Sequence, residues 1–222
     1  GMKRLPGQNW SASLVPSSPN FMGGIGATGF VRSRSGYYFW KNWSNWETNR
    51  NGGVTLNTSD KPIFKIEEVL LNYAEAMCEL GKFDQTAADK SINKLRARGH
   101  VAKMTVEDIT DDFDTARDPS VPALLWEVRR ERRVELMGEG FRLDDLRRWK
   151  KGDYVNKQPL GAYVTGASAK NLKVTGGAGA DEGYVYFFDT PLGWQEHYYL
   201  YPLPLKQLAL NTNLEQNPVW TK

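Results

Sequence analysis

Between residues 61 and 149 the apolar residues recur with the period of a helix, and this pattern constrains the chain more than any other feature. After Pro62, the residues Ile66, Val69, Leu70, Tyr73, Ala74 and Met77 are spaced by three and four, which defines one apolar helix face. Gly81 follows the last turn, where glycine supplies positive φ without steric cost. Asp84 is placed as an N-cap, and Ala87, Ala88, Ile92 and Leu95 carry a second stripe. Two helices joined by so few residues pack antiparallel. Residues 124–137 read as a third helix, interrupted by Gly138 and Gly140, and residues 141–149 as a fourth, with Leu143, Leu146 and Trp149 facing inward. With their ends included, the helices are expected at about 63–81, 84–98, 122–137 and 140–150.

The run Tyr73-Ala-Glu-Ala-Met-Cys-Glu-Leu-Gly-Lys-Phe-Asp-Gln-Thr-Ala87 resembles the turn of a tetratricopeptide repeat. In that motif small residues let two helices approach, and a glycine followed by an aromatic sets the bend. One clear copy is present, and ordinary core packing explains each position equally well.

The chain has 222 residues, enough for one sizeable core or two small ones. A net charge of +3 is too small to draw nucleic acid or an anionic membrane. The single cysteine, Cys78, allows no internal disulfide, so cysteine usage does not identify a compartment. With only His100 and His197 beside it, a zinc site is not expected, nor is any cofactor. No apolar run is long enough to span a bilayer, and no signal peptide is present. Gly1 precedes Met2 as an expression scar would, so the natural protein is expected to continue upstream.

Residues 1–60 form a loop-rich leader, with prolines at 6, 16 and 19 and many Ser and Asn. The letters Gly24-Ile-Gly-Ala-Thr-Gly29 fit a dinucleotide fingerprint, but no strand precedes them and no helix follows. The leader is rich in rings: Trp10, then Tyr37, Tyr38, Phe39, Trp40, Trp43 and Trp46, with Asn42 and Arg34 among their polar neighbours. Rings next to amide and guanidinium donors suit a carbohydrate. The C–H face of a pyranose stacks on the ring, and its hydroxyls take fork-shaped polar partners. Trp10, Tyr37, Trp43, Trp46, Asn42 and Arg34 are therefore the candidate glycan contacts, while Tyr38 and Trp40 read as core.

Residues 100–121 form an acidic connection that lacks the glycine and terminal Glu of a calcium loop. The segment from Arg129 to Trp149 is densest in charge. Its arginines alone would suggest phosphate, but Glu127, Glu131, Glu135, Glu139, Asp144 and Asp145 nearly balance them. Arg132 and Glu135 stand three apart on a helix and are within reach of each other. A structural ion-pair network including Arg132, Glu135, Arg142 and Asp145 follows, in preference to a nucleic-acid surface. Carboxylates among arginines lose the raised pKa a glycosidase acid requires, so no catalytic residue is assigned. Residues 152–193 read as a Gly-rich insertion with hairpin strands near 163–164 and 184–188, and residues 198–222 as an extended tail.

Three segments, in this order, resemble the SusD/RagB family of outer-membrane glycan-binding lipoproteins. They are Ile66-Glu-Glu-Val-Leu-Leu-Asn-Tyr-Ala-Glu-Ala76 with Ile92-Asn-Lys-Leu-Arg-Ala-Arg98, then Glu131-Arg-Arg-Val-Glu-Leu136 with Asp145-Leu-Arg-Arg-Trp149, then Tyr201-Pro-Leu-Pro204 with Asn211 and Gln216-Asn-Pro218. The resemblance implies a mainly α fold of tetratricopeptide-like helix pairs, with loop-rich segments and a few short β-hairpins. It implies that residues 61–222 are the C-terminal region of such a protein, packed with the leader as one structural unit. It also implies capture of an oligo- or polysaccharide without catalysis, and delivery to a SusC-like TonB-dependent transporter. The protein would sit on the outer face of the outer membrane, held through an N-terminal lipid whose cysteine this chain lacks. Family members are considerably longer, so the chain reads as a C-terminal portion. The alternative is a tetratricopeptide-type scaffold that grips a protein.

Overall fold

The computed structural model describes residues 62–166, 172–179, 181–186, 188 and 190–220, together with the backbone of residues 50–51 and 54–55. The fold is mainly helical with a few short antiparallel strands. The chain divides into two compact units. One is Asp60–Asp145, and the other contains the chain from Leu146 onward.

In the first unit, helix α1 (Ile66–Glu79) starts after an extended Lys65, with Glu67 and Glu68 in the first turn, where carboxylates favour the helix dipole. It ends as its sequence predicts. Gly81 takes φ +64°, and the Lys82 N–H donates to the Met77 carbonyl at 2.8 Å, the six-to-one bond of a glycine-ended helix. Asp84 caps α2 (Gln85–Lys90) by accepting from the Ala87 N–H at 2.7 Å.

The single helix expected over 84–98 is broken in two at Ser91, and α3 (Ile92–Arg98) follows the break. The cause is local. The buried Ser91 hydroxyl donates to the Ala87 carbonyl at 2.6 Å, the acceptor that the Ser91 N–H would use in a continuous helix. That N–H turns to Ala88 instead. Helix α4 (Ala123–Glu135) begins after Pro122, and α5 (Phe141–Arg148) follows Gly138 and Gly140, both at positive φ. All four expected ranges extend a residue or more beyond the helices that form, because their caps lie inside those ranges.

The core of this unit gathers Leu71, Ala74, Phe83, Ala87, Ala88, Ile92, Leu95, Met104, Val128 and Leu136. The second predicted stripe is buried in full. The first is not. On α1 the buried face is Leu71, Ala74 and Glu75, whereas Ile66, Val69 and Tyr73 are exposed. The physical reason is Glu75, whose burial is made tolerable by Arg129 of α4 at 3.6 Å. The helix thus turns a mixed face to its neighbours and carries a second, apolar face outward. Leu143 of α5 is likewise exposed, contrary to its predicted inward aspect, while Leu146 is buried.

The Gln85 and Asn93 side chains hold the connection after α3. The Asn93 carbonyl oxygen accepts from the Met104 N–H at 2.7 Å and that of Gln85 from the Val106 N–H at 2.9 Å. Met104 is thereby drawn into the core.

In the second unit, β3 (Leu160–Thr165), β4 (Val174–Gly176) and β5 (Glu182–Tyr186) form an antiparallel sheet in the order β3-β5-β4. The expected hairpin gains a third strand, and β5 ends at Tyr186 instead of 188. Val164 and Val185 are buried with Leu172 and Val174 against one face of the sheet. The two-residue strands β1 (Arg50–Asn51) and β2 (Val54–Thr55) pair antiparallel. A short helix, α6 (Leu205–Leu210), follows Pro204. No described helix is long and apolar enough to cross a membrane.

Replacing the fully buried Leu71 with alanine is expected to cost about 2–5 kcal/mol in denaturant melts. Val69→Ala, on the exposed face of the same helix, is expected to stay within about 0.5 kcal/mol. Burial, reinforced by the Glu75 and Glu79 carboxylates, pushes the Cys78 thiol up to about 12. A thiol reagent at pH 8 should therefore leave Cys78 unmodified in the native protein and label it in guanidinium.

Candidate functional site

Two clusters of polar and aromatic side chains stand out, one in each unit. The first is the ion-pair lattice of the helical unit. Arg96 of α3 donates through Nη2 to Glu127 at 2.7 Å and to Glu131 at 2.9 Å, both on α4. Arg130 adds a fork to Glu127. Arg132 grips both carboxylate oxygens of Asp145 on α5, at 2.8 and 3.0 Å, and donates to Asn72 of α1 at 2.9 Å. Its guanidinium also lies 5.5 Å from the Phe141 ring centroid. Both Glu135 carboxylate oxygens accept from Nη2 of Arg98, whose Nη1 donates to Glu67 of α1. The principal partner of Arg132 is thus Asp145, thirteen residues on, and not the neighbour three residues away that helix spacing alone suggests. Arg142 lies on α5 beside this lattice in sequence.

Glu127, Arg132 and Asp145 are almost wholly buried. Burial pushes the Glu127 carboxyl up, but the fork from Arg130 and the hydrogen bond from Arg96 outweigh it and hold the group below its ordinary value. A carboxylate in that state is ionised at neutral pH and offers no proton to a substrate. The lattice ties four helices together and has the chemistry of a brace.

The second cluster lies in the other unit and is aromatic. Trp194 packs edge-on against Tyr198, with ring centroids 5.6 Å apart, and tilted against Tyr199 at 4.9 Å. His197 contacts Tyr198 on one side and Trp220 on the other, at 4.4 and 4.7 Å. Glycine at 152 makes the Trp194 position available, since a Cβ there would lie 2.0 Å from the indole. The Gly152 N–H donates to the Tyr199 hydroxyl at 2.8 Å, and the Trp194 N–H to the Asn156 side chain at 2.8 Å. Arg147 stacks over Tyr201 at 4.2 Å while donating to its hydroxyl at 2.6 Å and to the Tyr198 carbonyl at 2.8 Å.

The tail is latched onto this cluster by Gln216. Its side-chain amide accepts from the Leu203 N–H at 2.7 Å and donates to the Leu203 carbonyl at 3.0 Å, as a neighbouring strand would. Asn217 donates to the Tyr201 carbonyl, and the Trp220 indole N–H to the Leu200 carbonyl at 2.9 Å. Tyr198, Tyr201 and Trp220 keep large exposed areas. Exposed rings beside a guanidinium and amides can bind a polar ligand that has apolar faces. Among the described residues no group of His, Cys, Asp and Glu is arranged to hold a metal.

Trp10, Tyr37, Trp43, Trp46, Asn42 and Arg34, the contacts predicted from sequence, lie outside the described residues. The aromatic cluster of the second unit is not among the contacts predicted from sequence, where residues 198–222 read only as an extended tail. The available signal was the density of rings from Trp194 to Tyr201 and the glycine at 152.

The sequence model of the SusD family matches residues 21–220, and the chain belongs to that family. Among solved structures, the chain is similar to the crystal structure of a SusD-like protein from Bacteroides fragilis, with 27% identity and a TM-score of 0.47. The similarity covers 69% of this chain and 25% of the other, so this chain spans a quarter of the length of that relative. No curated protein matches.

Arg132→Ala leaves the Asp145 carboxylate buried without its fork and should lower stability by about 3–5 kcal/mol. Arg98→Ala removes two pairs, to Glu67 and Glu135, whose shared arginine is 52% exposed, and should cost about 1 kcal/mol per pair at most. Glu127 has a folded pKa below its ordinary 4.5, so its stabilising effect is complete above that pH and is lost as pH falls through the lower folded value. Thermal melts from pH 7 to pH 3 should show this loss, and Glu127→Gln should flatten that acid limb. Gly152→Ala should lower the melting temperature by displacing Trp194.

Proposed function

We propose that this protein binds oligo- or polysaccharide at the cell surface, leaves it chemically unchanged, and passes it to a SusC-like TonB-dependent transporter in the outer membrane. The observation that carries the reading is membership of the SusD family over residues 21–220. The supply of rings supports it. Trp43 and Trp46, with Trp10, Tyr37, Asn42 and Arg34, are proposed as sugar contacts on the chemistry of their neighbours in sequence. The full-length protein is proposed to be anchored by an N-terminal lipid on the outer face of the membrane.

A second reading has one specific observation in its favour. The outward face of α1 presents Ile66, Val69 and Tyr73 in helical register, with Ile63 and Phe64 exposed just before it. Such a stripe suits the packing of another helix, as in a tetratricopeptide-type scaffold.

The two readings separate in one set of measurements. Electrophoresis through gels containing amylopectin, mannan, xylan or β-glucan should retard the protein in at least one of them. The double variant W43A/W46A should weaken that retardation about tenfold or more, the equivalent of roughly one well-stacked ring. No retardation in any gel, together with capture of a protein partner that Val69→Glu abolishes, would favour the scaffold.

A further inference from the structure

The outer face of the sheet β3-β5-β4 carries a row of side chains that neither the core nor the tail latch uses. Tyr163 of β3 stands directly opposite Tyr184 of β5, and Thr175 of β4 is opposite Tyr184 on its other side. Because side chains alternate along a strand, these three share one face. The next residues along that face are Thr165, paired with Glu182, and Tyr186. The Tyr163 and Tyr184 rings meet edge to face, with centroids 5.0 Å apart and planes 77° apart. They are 47% and 43% exposed, whereas Val164 and Val185, on the opposite face, are buried. Lys173 lies over the Tyr186 ring at 5.1 Å, and the Glu182 carboxylate accepts from the Ala178 N–H at 2.7 Å.

The underside of this face is held firm. Gly183 of β5 takes φ +143° with its backbone so close to Thr175 that a Cβ would lie 2.6 Å from the Thr175 carbonyl oxygen. The strands therefore approach closely, and the rings stand on a pre-formed support. A solvated sheet face ordinarily carries charged and small polar residues. Here its centre is two half-exposed tyrosines, edged by threonine hydroxyls and by one acid and one lysine that are each already engaged.

We propose that Tyr163 and Tyr184 form a stacking platform for an uncharged pyranose residue of a polysaccharide, with Thr165 and Thr175 bordering it. The proposal rests on the carbohydrate-binding reading above and adds a site to it. The chemistry selects the occupant. A pyranose offers an apolar C–H face that matches an exposed ring, and hydroxyls at its rim that match threonine. A charged ligand gains little, because Lys173 and Glu182 are of opposite sign and already in contact with other groups. One ring then takes the sugar face, and the other, turned 77° to it, forms a side wall that orients the chain.

The test uses the polysaccharide that retards the wild-type protein. Y163A and Y184A are each expected to weaken its binding about tenfold, and Y163F and Y184F to keep it within about twofold, since stacking uses the ring and not the hydroxyl. A cross-strand ring pair also steadies its sheet. A second measurement is therefore made on the unmutated protein carrying fluorinated tyrosine. The resonances of Tyr163 and Tyr184, assigned through the two phenylalanine variants, should shift on titration with the polysaccharide. Binding that leaves both resonances unmoved, with Y163A and Y184A at wild-type affinity, overturns the platform and leaves the general reading intact. A wild-type protein retained by none of the polysaccharides overturns that reading and the platform with it.

Discussion

Both carboxylate oxygens of Asp145 lie within 3.0 Å of the Arg132 guanidinium, and both residues are almost entirely removed from water. Charges in that state are costly to bury singly and acceptable only as a well-formed pair. The same holds for Arg96 and Glu127. These pairs link helices apart in sequence: Arg132 of α4 donates to Asp145 of α5 and Asn72 of α1, and Arg96 of α3 donates to Glu127 of α4. The apolar core sets how tightly α1, α3 and α4 pack, and charge-assisted hydrogen bonds add directional constraint to that packing. α1 accordingly turns a mixed face inward, with Glu75 buried beside Leu71 and Ala74 and 3.6 Å from Arg129 of α4.

That arrangement bears on function. The densest cluster of acids and bases in the described structure is consumed in holding helices together. Glu127 has three guanidinium contacts, from two arginines, and its side chain is almost wholly buried among them. Recognition then falls to side chains whose rings are exposed and whose positions are fixed by other means: a glycine that admits an indole, a cross-strand register, a stacked arginine. These are the surfaces proposed to hold a ligand by shape and stacking.

Much of the helical unit was legible in its sequence, for identifiable reasons. Gly81 and Asp84 are local signals, read from the conformations that only those residue types favour, and both act as expected. The stripe Ala87, Ala88, Ile92, Leu95 has no polar competitor and is buried. Where reading failed, a tertiary partner or a side-chain hydrogen bond intervened. Arg129 made Glu75 a buried residue, and Asp145 took the fork of Arg132. The Ser91 hydroxyl interrupted a helix that periodicity alone would continue. In the second unit the strands are legible only in outline, because β4 is three residues long and β5 pairs both with it and with the more distant β3. The ring cluster around Trp194 depends on Gly152, more than forty residues earlier in the chain, and no window of sequence joins the two.

The tail latch has a consequence of its own. Where two strands pair, the peptide groups do the bonding and almost any residue serves. At Leu203 the partner is a side chain, so the pairing depends on the chemical identity of a single letter. A glutamate at 216 would keep the shape but bring an oxygen against the Leu203 carbonyl in place of a donor. An irregular, solvent-washed terminus of this kind is ordinarily the most permissive part of a chain. Here it carries a position where even a conservative change removes the donor that the Leu203 carbonyl accepts.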